Sequence, residues 1–193
     1  MPRVVDHEQR RDELVRAAWR LIADDGLPGV TIRRLAERSG WSSGAVRHYL
    51  PTREAIIEAA ADRAGSMIEQ RIRAVSVDSD PVAAVAEVLQ AVLPSDEAMR
   101  EASRVWLAFV GQAASDQRLA HAHGIVYRDL NALLVELLEW AAAEGHPVPA
   151  GAAAAAAQLQ ALVDGLTVHL LLGQLDAGRA TDVLQDAVRA VLG

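Results

Sequence analysis

Residues 31–53 read TIRRLAERSGWSSGAVRHYLPTR, and this stretch decides the fold. Thr31 is a good N-cap, because its hydroxyl can take one of the free N–H groups that open a helix. Ile32, Leu35 and Ala36 then fall on one face of a short helix. Gly40 stops that helix, since glycine enters the left-handed cap conformation without a Cβ penalty. Ser42 caps a second helix that runs to about Tyr49. Pro51 keeps Leu50 out of the helical region, and Thr52 caps the next helix. Helix, glycine turn and helix at this spacing make a helix-turn-helix, whose second helix lies in a DNA major groove.

Charge agrees with that expectation. Five arginines, Arg33, Arg34, Arg38, Arg47 and Arg53, stand against the single acid Glu37 in this stretch. The whole chain carries a net charge of −7. A basic island in an acidic chain suits local contact with phosphate, not coating of a polyanion.

Around the motif, Leu14, Ala18, Leu21, Gly26, Thr31, Ile32, Arg33, Leu35, Ala36, Gly40, Ser42, Gly44 and Tyr49 form a long gapped pattern. In order and spacing it resembles the DNA-binding domain of the tetracycline-repressor (TetR) family over residues 14–58. Trp41 stands where that family usually has a small aliphatic residue, and Leu50 where it usually has Phe. Both are packing positions, so altered packing is expected and not lost function. More loosely, Arg104–Trp106 and Leu162-Val163-Asp164-Gly165-Leu166 look like the betaine-repressor branch.

At 193 residues and 51% hydrophobic content, the chain can bury a real core. It has no cysteine, which excludes disulfides and thiolate metal sites. His121 and His123 are two apart and so point to different helix faces. No metal and no cofactor are expected. There is no basic leader with an apolar run behind it, so no signal peptide is expected. No uncharged apolar stretch reaches the roughly 18–20 residues of a membrane span, and Asp164 and His169 interrupt Ala161–Leu175. A cytoplasmic protein is expected.

No segment alternates at period two, so the chain reads as all-α. The expected architecture is an N-terminal three-helix DNA-binding domain, residues 1–51, and a helical-bundle effector-binding and dimerisation domain, residues 52–193. The first helix spans about His7 to Asp25, with Leu14, Ala18, Leu21 and Ile22 buried. A long helix after Thr52, of about 24 residues and roughly 36 Å, reads as the only mechanical link between the two. A turn at Val77–Asp80 leads into Pro81 at a first helical position. Four further helices follow the one that Pro81 opens, with the clearest break at Gly145–Pro149.

One of these helices is apolar nearly all round. Leu159, Leu162, Val163, Leu166 and Leu170 form one stripe; Ala161, Gly165, Val168 and Leu172 form another. Such a helix must be covered all round. The first stripe, with Leu184, Val188 and Val191 of the last helix, is expected to build a four-helix bundle with a second subunit. The alternative is a fully buried central helix in a monomer.

Base reading falls to the second helix of the motif. Ser43, Gly44 and Ala45 are small enough for close approach, and Arg47 and His48 are long enough to reach bases or phosphates. For Arg47 the alternative is a solvated surface charge. Thr31, Ser42 and Thr52 are caps first, with hydroxyls also placed for phosphate, and Arg33 is exposed beside them. The family resemblance assigns phosphate contacts to Tyr49 and Arg53; Tyr49 can equally pack under the motif.

For the effector, Trp106, Phe109, Val110 and Ala113 share one helix face, and His123, Tyr127 and Asn131 lie on the next helix. With Met67 and Arg71 of the long helix they are expected to frame a small-molecule cavity. Plain core is the alternative. Asn131, His123, Asp164 and His169 either orient a ligand or are satisfied interior groups.

These features lead to a ligand-responsive DNA-binding regulator. It is expected to be a homodimeric repressor released from a palindromic double-stranded DNA operator by a small molecule. The rivals are a DNA-binding protein without an effector and a helical-bundle enzyme. No nucleophile–base set, glycine-rich phosphate loop or metal cluster supports the enzyme.

Overall fold

The computed structural model describes residues 7–75 and 80–193, and every regular element among them is helical. The order is α1 (His7–Asp25), a 3-10 turn (Leu27–Gly29), α2 (Ile32–Ser39), α3 (Ser43–Tyr49) and α4 (Arg53–Arg73). Then come α5 (Pro81–Val92), α6 (Glu97–Ala113), α7 (Gln117–Ala143), α8 (Ala152–Leu171) and α9 (Ala177–Val191). Residues 76–79 of the expected turn lie outside the described residues.

Local chemistry sets these boundaries. The side chains of Thr31, Ser42 and Thr52 accept from the N–H groups of Arg34, Ala45 and Ala55. Asp80, Asp96, Asp116 and Asp176 cap four of the later helices in the same way. Each such cap is worth about 1 kcal/mol against alanine. Gly26 (φ 67°) and Gly40 (φ 73°) end α1 and α2 in the left-handed region.

Packing divides the helices into two buried clusters. The first joins α1, α2, α3, the front of α4 and one face of α6, including Leu14, Trp19, Leu35, Val46, Ile56, Met99 and Phe109. The second joins α5, α7, α8 and α9 through residues such as Leu89, Leu138, Leu159 and Leu184. The expected domain limit at residue 51 therefore does not coincide with the boundary between cores, because α6 packs on the N-terminal helices.

That packing corrects the expectation that α4 is the only link. α6 lies against both α1 and α4, and Trp19 Nε1 donates to Glu101 Oε2 at 3.3 Å. α4 itself has 21 residues and spans about 32 Å.

Much of the stripe expected at the dimer interface lies inside the subunit. Leu159, Val163, Leu166, Leu184 and Val188 are buried within the subunit's own second cluster. Leu162, Leu170 and Val191 are half-buried and pack against it. The bulkier stripe faces α7 and α9 because it fills volume there, while the small-residue stripe is left outward. On that outer face Ala161 and Leu172 are exposed, Leu172 at 62%, and Gly165 and Val168 are half-buried. By length and composition alone α8 is apolar enough to cross a membrane, although Asp164 interrupts it, as the sequence reading noted. Its packing against α7 and α9 accounts for that character.

Candidate nucleic-acid interface and effector cavity

The motif presents α3 outward. Arg47 and His48 are exposed, as is Gly44, while Ser43 and Ala45 are half-buried and Val46 anchors the helix in the core. Arg47 has no hydrogen-bond or ion-pair partner among the described residues, so its guanidinium is available to an incoming group. Tyr49 is half-buried, its hydroxyl 3.1 Å from His7 Nδ1, and its ring meets Trp41 and His48 edge-on. It is thus packed and polar at once. Trp41 takes Arg10 over its ring and so closes the gap between α1 and the motif. Leu50 is fully in the core.

The other arginines of the motif are already engaged. Arg34 bonds Asp25 at 2.8 Å and Arg38 bonds Asp24 at 2.6 Å, both acids belonging to α1. Arg33 pairs with Glu37 one turn on. Gly29 is required beneath this set, because a Cβ there would lie 2.7 Å from Asp25 Cβ and 2.8 Å from Arg34 Nη1. The basic island counted from sequence is therefore largely balanced in space.

Arg53 departs furthest from its assigned role. Its Nη2 donates to Leu27 O at 2.8 Å and its Nε to Val30 O at 3.2 Å. It ties the start of α4 to the 3-10 turn and satisfies two carbonyls there, so it acts as a strut. Beside it, the backbone N–H at the start of α4, with Thr52 and Arg53, holds the Glu54 carboxyl below the usual carboxylate range. That acid occupies ground a phosphate would want.

A cavity lies among α4, α6, α7 and α8. Its outer part, about 310 Å³, is lined by Ala61, Ala64, Gly65, Val105, Phe109 and Val126, among others. An inner recess of about 80 Å³ is lined by Ser103, Tyr127, Gln160, Val163, Asp164 and Thr167. Ile68, Trp106, His123 and Val126 line both. Trp106 and Tyr127 meet His123 edge-on from either side, at 6.4 and 6.2 Å between ring centres. Burial lowers the His123 pKa and raises that of Asp164 to about 6.

Of the residues expected at this site, Trp106, Phe109, His123 and Tyr127 line it. Met67 packs instead against the first core cluster, Arg71 pairs with Asp96, and Ala113 is core. Val110 is half-buried outside the lining, and His169 bonds Gln174 on the surface. Asn131 donates to Gln160 Oε1 at 3.0 Å and works one layer behind the wall. The cavity meets the middle of α4, not its far end.

The comparisons with known proteins fit this arrangement. Residues 14–60 match the model described as bacterial regulatory proteins, tetR family. Residues 81–193 match that of the BetI-type transcriptional repressor, C-terminal. The chain belongs to the TetR family. It is 31% identical, over 89% of its length and 83% of the relative's, to the HTH-type transcriptional regulator PksA of Bacillus subtilis. It is 30% identical, over 100% of its length and 98% of the relative's, to the HTH-type transcriptional regulator BetI of Burkholderia cenocepacia. A transcriptional regulator from Rhodococcus superposes with a TM-score of 0.85 at 27% identity, covering 94% of this chain and 95% of that one. A putative regulator from Saccharomonospora viridis, in complex with choline, superposes with a TM-score of 0.85 at 21% identity, covering 93% and 95%. These TetR-family relatives are transcriptional regulators and not enzymes.

Sequence reasoning missed Ser103, Gln160 and Thr167 of this TetR-family cavity. A signal existed. Ser103 precedes Trp106 by three residues and Thr167 follows Asp164 by three, so each shares a helix face with a residue already singled out.

Proposed function

We propose that this TetR-family regulator is a repressor that leaves its operator when a small molecule fills the α4–α6–α7–α8 cavity. Residues 1–51 form the DNA-binding domain in this reading, and 52–193 the effector and dimer domain. The observation that carries it is α6. Its Trp106 and Phe109 line the cavity while its buried face, from Met99 to Ala113, packs on α1 and α4. A ligand that displaces α6 displaces the neighbours of the DNA-reading motif.

Arg47, His48 and the small residues Ser43, Gly44 and Ala45 meet base edges; Thr31, Ser42, Tyr49, Thr52 and Arg33 meet the phosphate backbone. The second subunit covers the outer face of α8, around Ala161, Gly165, Val168 and Leu172. Two such subunits on double-stranded DNA call for a two-fold symmetric site with half-site centres about 34–36 Å apart or a related distance. The protein acts in the cytoplasm, where bacterial DNA is.

Selection of genomic fragments by the purified protein should return a two-fold symmetric consensus. A consensus without symmetry would remove the dimeric operator. Ligands that raise the melting temperature should weaken operator binding by about 5–150-fold. Trp106→Ala should blunt that release more than it weakens DNA binding itself. Stabilising ligands that leave operator affinity unchanged would favour a DNA-binding protein without an effector.

A further inference from the structure

We propose that the inner recess takes a protonated primary amine, its three N–H groups on Asp164, Ser103 and Thr167, with an apolar tail in the outer cavity. This rests on the effector reading of the cavity and names the chemistry of its ligand.

Charge comes first. Among the residues lining either part there is no arginine, and the chain has no lysine. The charged side chains there are Asp62 of α4, exposed at the mouth, and Asp164 of α8 inside. His123 of α7 is held toward its neutral form by burial. α6 contributes no charge to the lining. An anionic ligand would meet only like charge.

Unmet hydrogen-bonding capacity comes second. Among the described residues Asp164 has no hydrogen-bond or ion-pair partner. Ser103 and Thr167 are each 5% exposed, and neither hydroxyl has a partner among the described residues. No sealed side-chain nitrogen or oxygen among the described residues lacks a partner, so these two hydroxyls are open to the recess they line. Gln160, by contrast, is satisfied: it accepts from Asn131 and donates to Tyr127 O at 3.1 Å. The recess therefore has a fixed polar frame and three acceptors left over.

These acceptors discriminate. A neutral alcohol leaves the carboxylate without a counter-charge. A quaternary ammonium supplies the charge but no N–H, so the acceptors stay unmet. A primary ammonium, with three N–H donors, answers all of them. The recess volume of about 80 Å³ suits a small head group, and the outer 310 Å³ with its apolar wall suits an alkyl or aryl tail.

The test is calorimetric titration of the full-length protein with four matched probes: hexylamine, hexyltrimethylammonium, 1-hexanol and hexanoate. Hexylamine should bind at least about 10-fold tighter than the other three. Asp164→Asn should weaken hexylamine by about 10–100-fold and leave 1-hexanol unchanged. Thr167→Val, close to isosteric, should weaken it by about 3–10-fold and keeps the test decisive if Asp164→Asn folds poorly. Wild-type affinity should fall as pH drops below about 6, because protonation of Asp164 removes the counter-charge and protonation of His123 adds a like one. Equal binding of the trimethylammonium or alcohol probe, no amine binding, or an unchanged amine affinity in both variants overturns the proposal. Operator release is scored separately. Amine binding without release would leave this inference standing and overturn the effector reading; release by hexanoate without amine binding would do the opposite.

Discussion

At the DNA-binding end polar side chains are consumed by the fold, whereas in the effector cavity they are left over. Arg34, Arg38 and Arg53 hold α1, the 3-10 turn and α4 together, and Thr31, Ser42 and Thr52 are spent on caps. Ser103, Asp164 and Thr167 have no such employment. The difference follows from what each region meets. A duplex presents a regular rod of phosphates, so a rigid motif can meet it with side chains that already serve the fold and a few, such as Arg47, that do not. A small ligand brings little surface, so its site must offer unsatisfied groups in an otherwise finished interior.

The largest effect that would break this comparison concerns the body. Leu166→Arg should unfold the subunit, costing about 3–5 kcal/mol, because the charge enters the core cluster of α7, α8 and α9 unpaired. Thermal melting by circular dichroism reads it. Leu172→Arg, on the outer face, should leave the melt of the subunit nearly unchanged and abolish the dimer in sedimentation. A folded, monomeric Leu166→Arg protein would return that stripe to the subunit interface.

Arg53 and Arg47 sharpen the contrast next. Arg53→Ala should destabilise the N-terminal domain by about 1–3 kcal/mol, since two carbonyls lose their donor. Arg47→Ala should leave the melt alone and cost about 1–3 kcal/mol of discrimination between operator and scrambled DNA in gel shifts. Uniform weakening on both DNAs would make Arg47 a phosphate contact instead.

Asp164 gives the smallest effect and a sign that favours function over stability. Its folded pKa, about 6, is raised above the ordinary 3.8. Its contribution to stability is therefore fully present below about pH 4 and lost as pH rises through about 6. Near neutrality the empty site is penalised for holding an ionised carboxylate. Asp164→Asn should stabilise the ligand-free protein by about 1–2 kcal/mol at about pH 7.5, after allowance for partial exposure, with the gain vanishing below about pH 4. Urea melts across that range measure it. A destabilised variant would mean that Asp164 has a structural partner.

The motif was legible because caps and left-handed glycines act within four residues, so Thr31, Gly40, Ser42 and Thr52 declare themselves in the chain. The aromatic wall of the cavity was legible for a similar reason: Trp106 and Phe109 share a face. Pairings across helices were not. Nothing near Arg34, Arg38 or Arg53 reveals Asp24, Asp25 or the carbonyls of Leu27 and Val30, because those meet only when α1 folds back. Nor does periodicity say which of two apolar stripes on α8 fills the core; that depends on the volume left between α7 and α9. Met67 and Arg71 were misplaced by assuming a ligand at the far end of α4, when α6 crosses it near the middle.

The position of α6 has a consequence for how the protein comes apart. With one helix built into the core of the DNA-binding end and also lining the cavity, neither end keeps its interior if the other melts. Heating should give a single cooperative transition instead of two. A ligand at 100 times its dissociation constant would add about 2.7 kcal/mol to the whole molecule. Amides in α1, tens of residues away in sequence, should then exchange more slowly with solvent, and proteases should cut the N-terminal helices less readily. Ligand occupancy would in that way govern how long the regulator survives as well as where it sits.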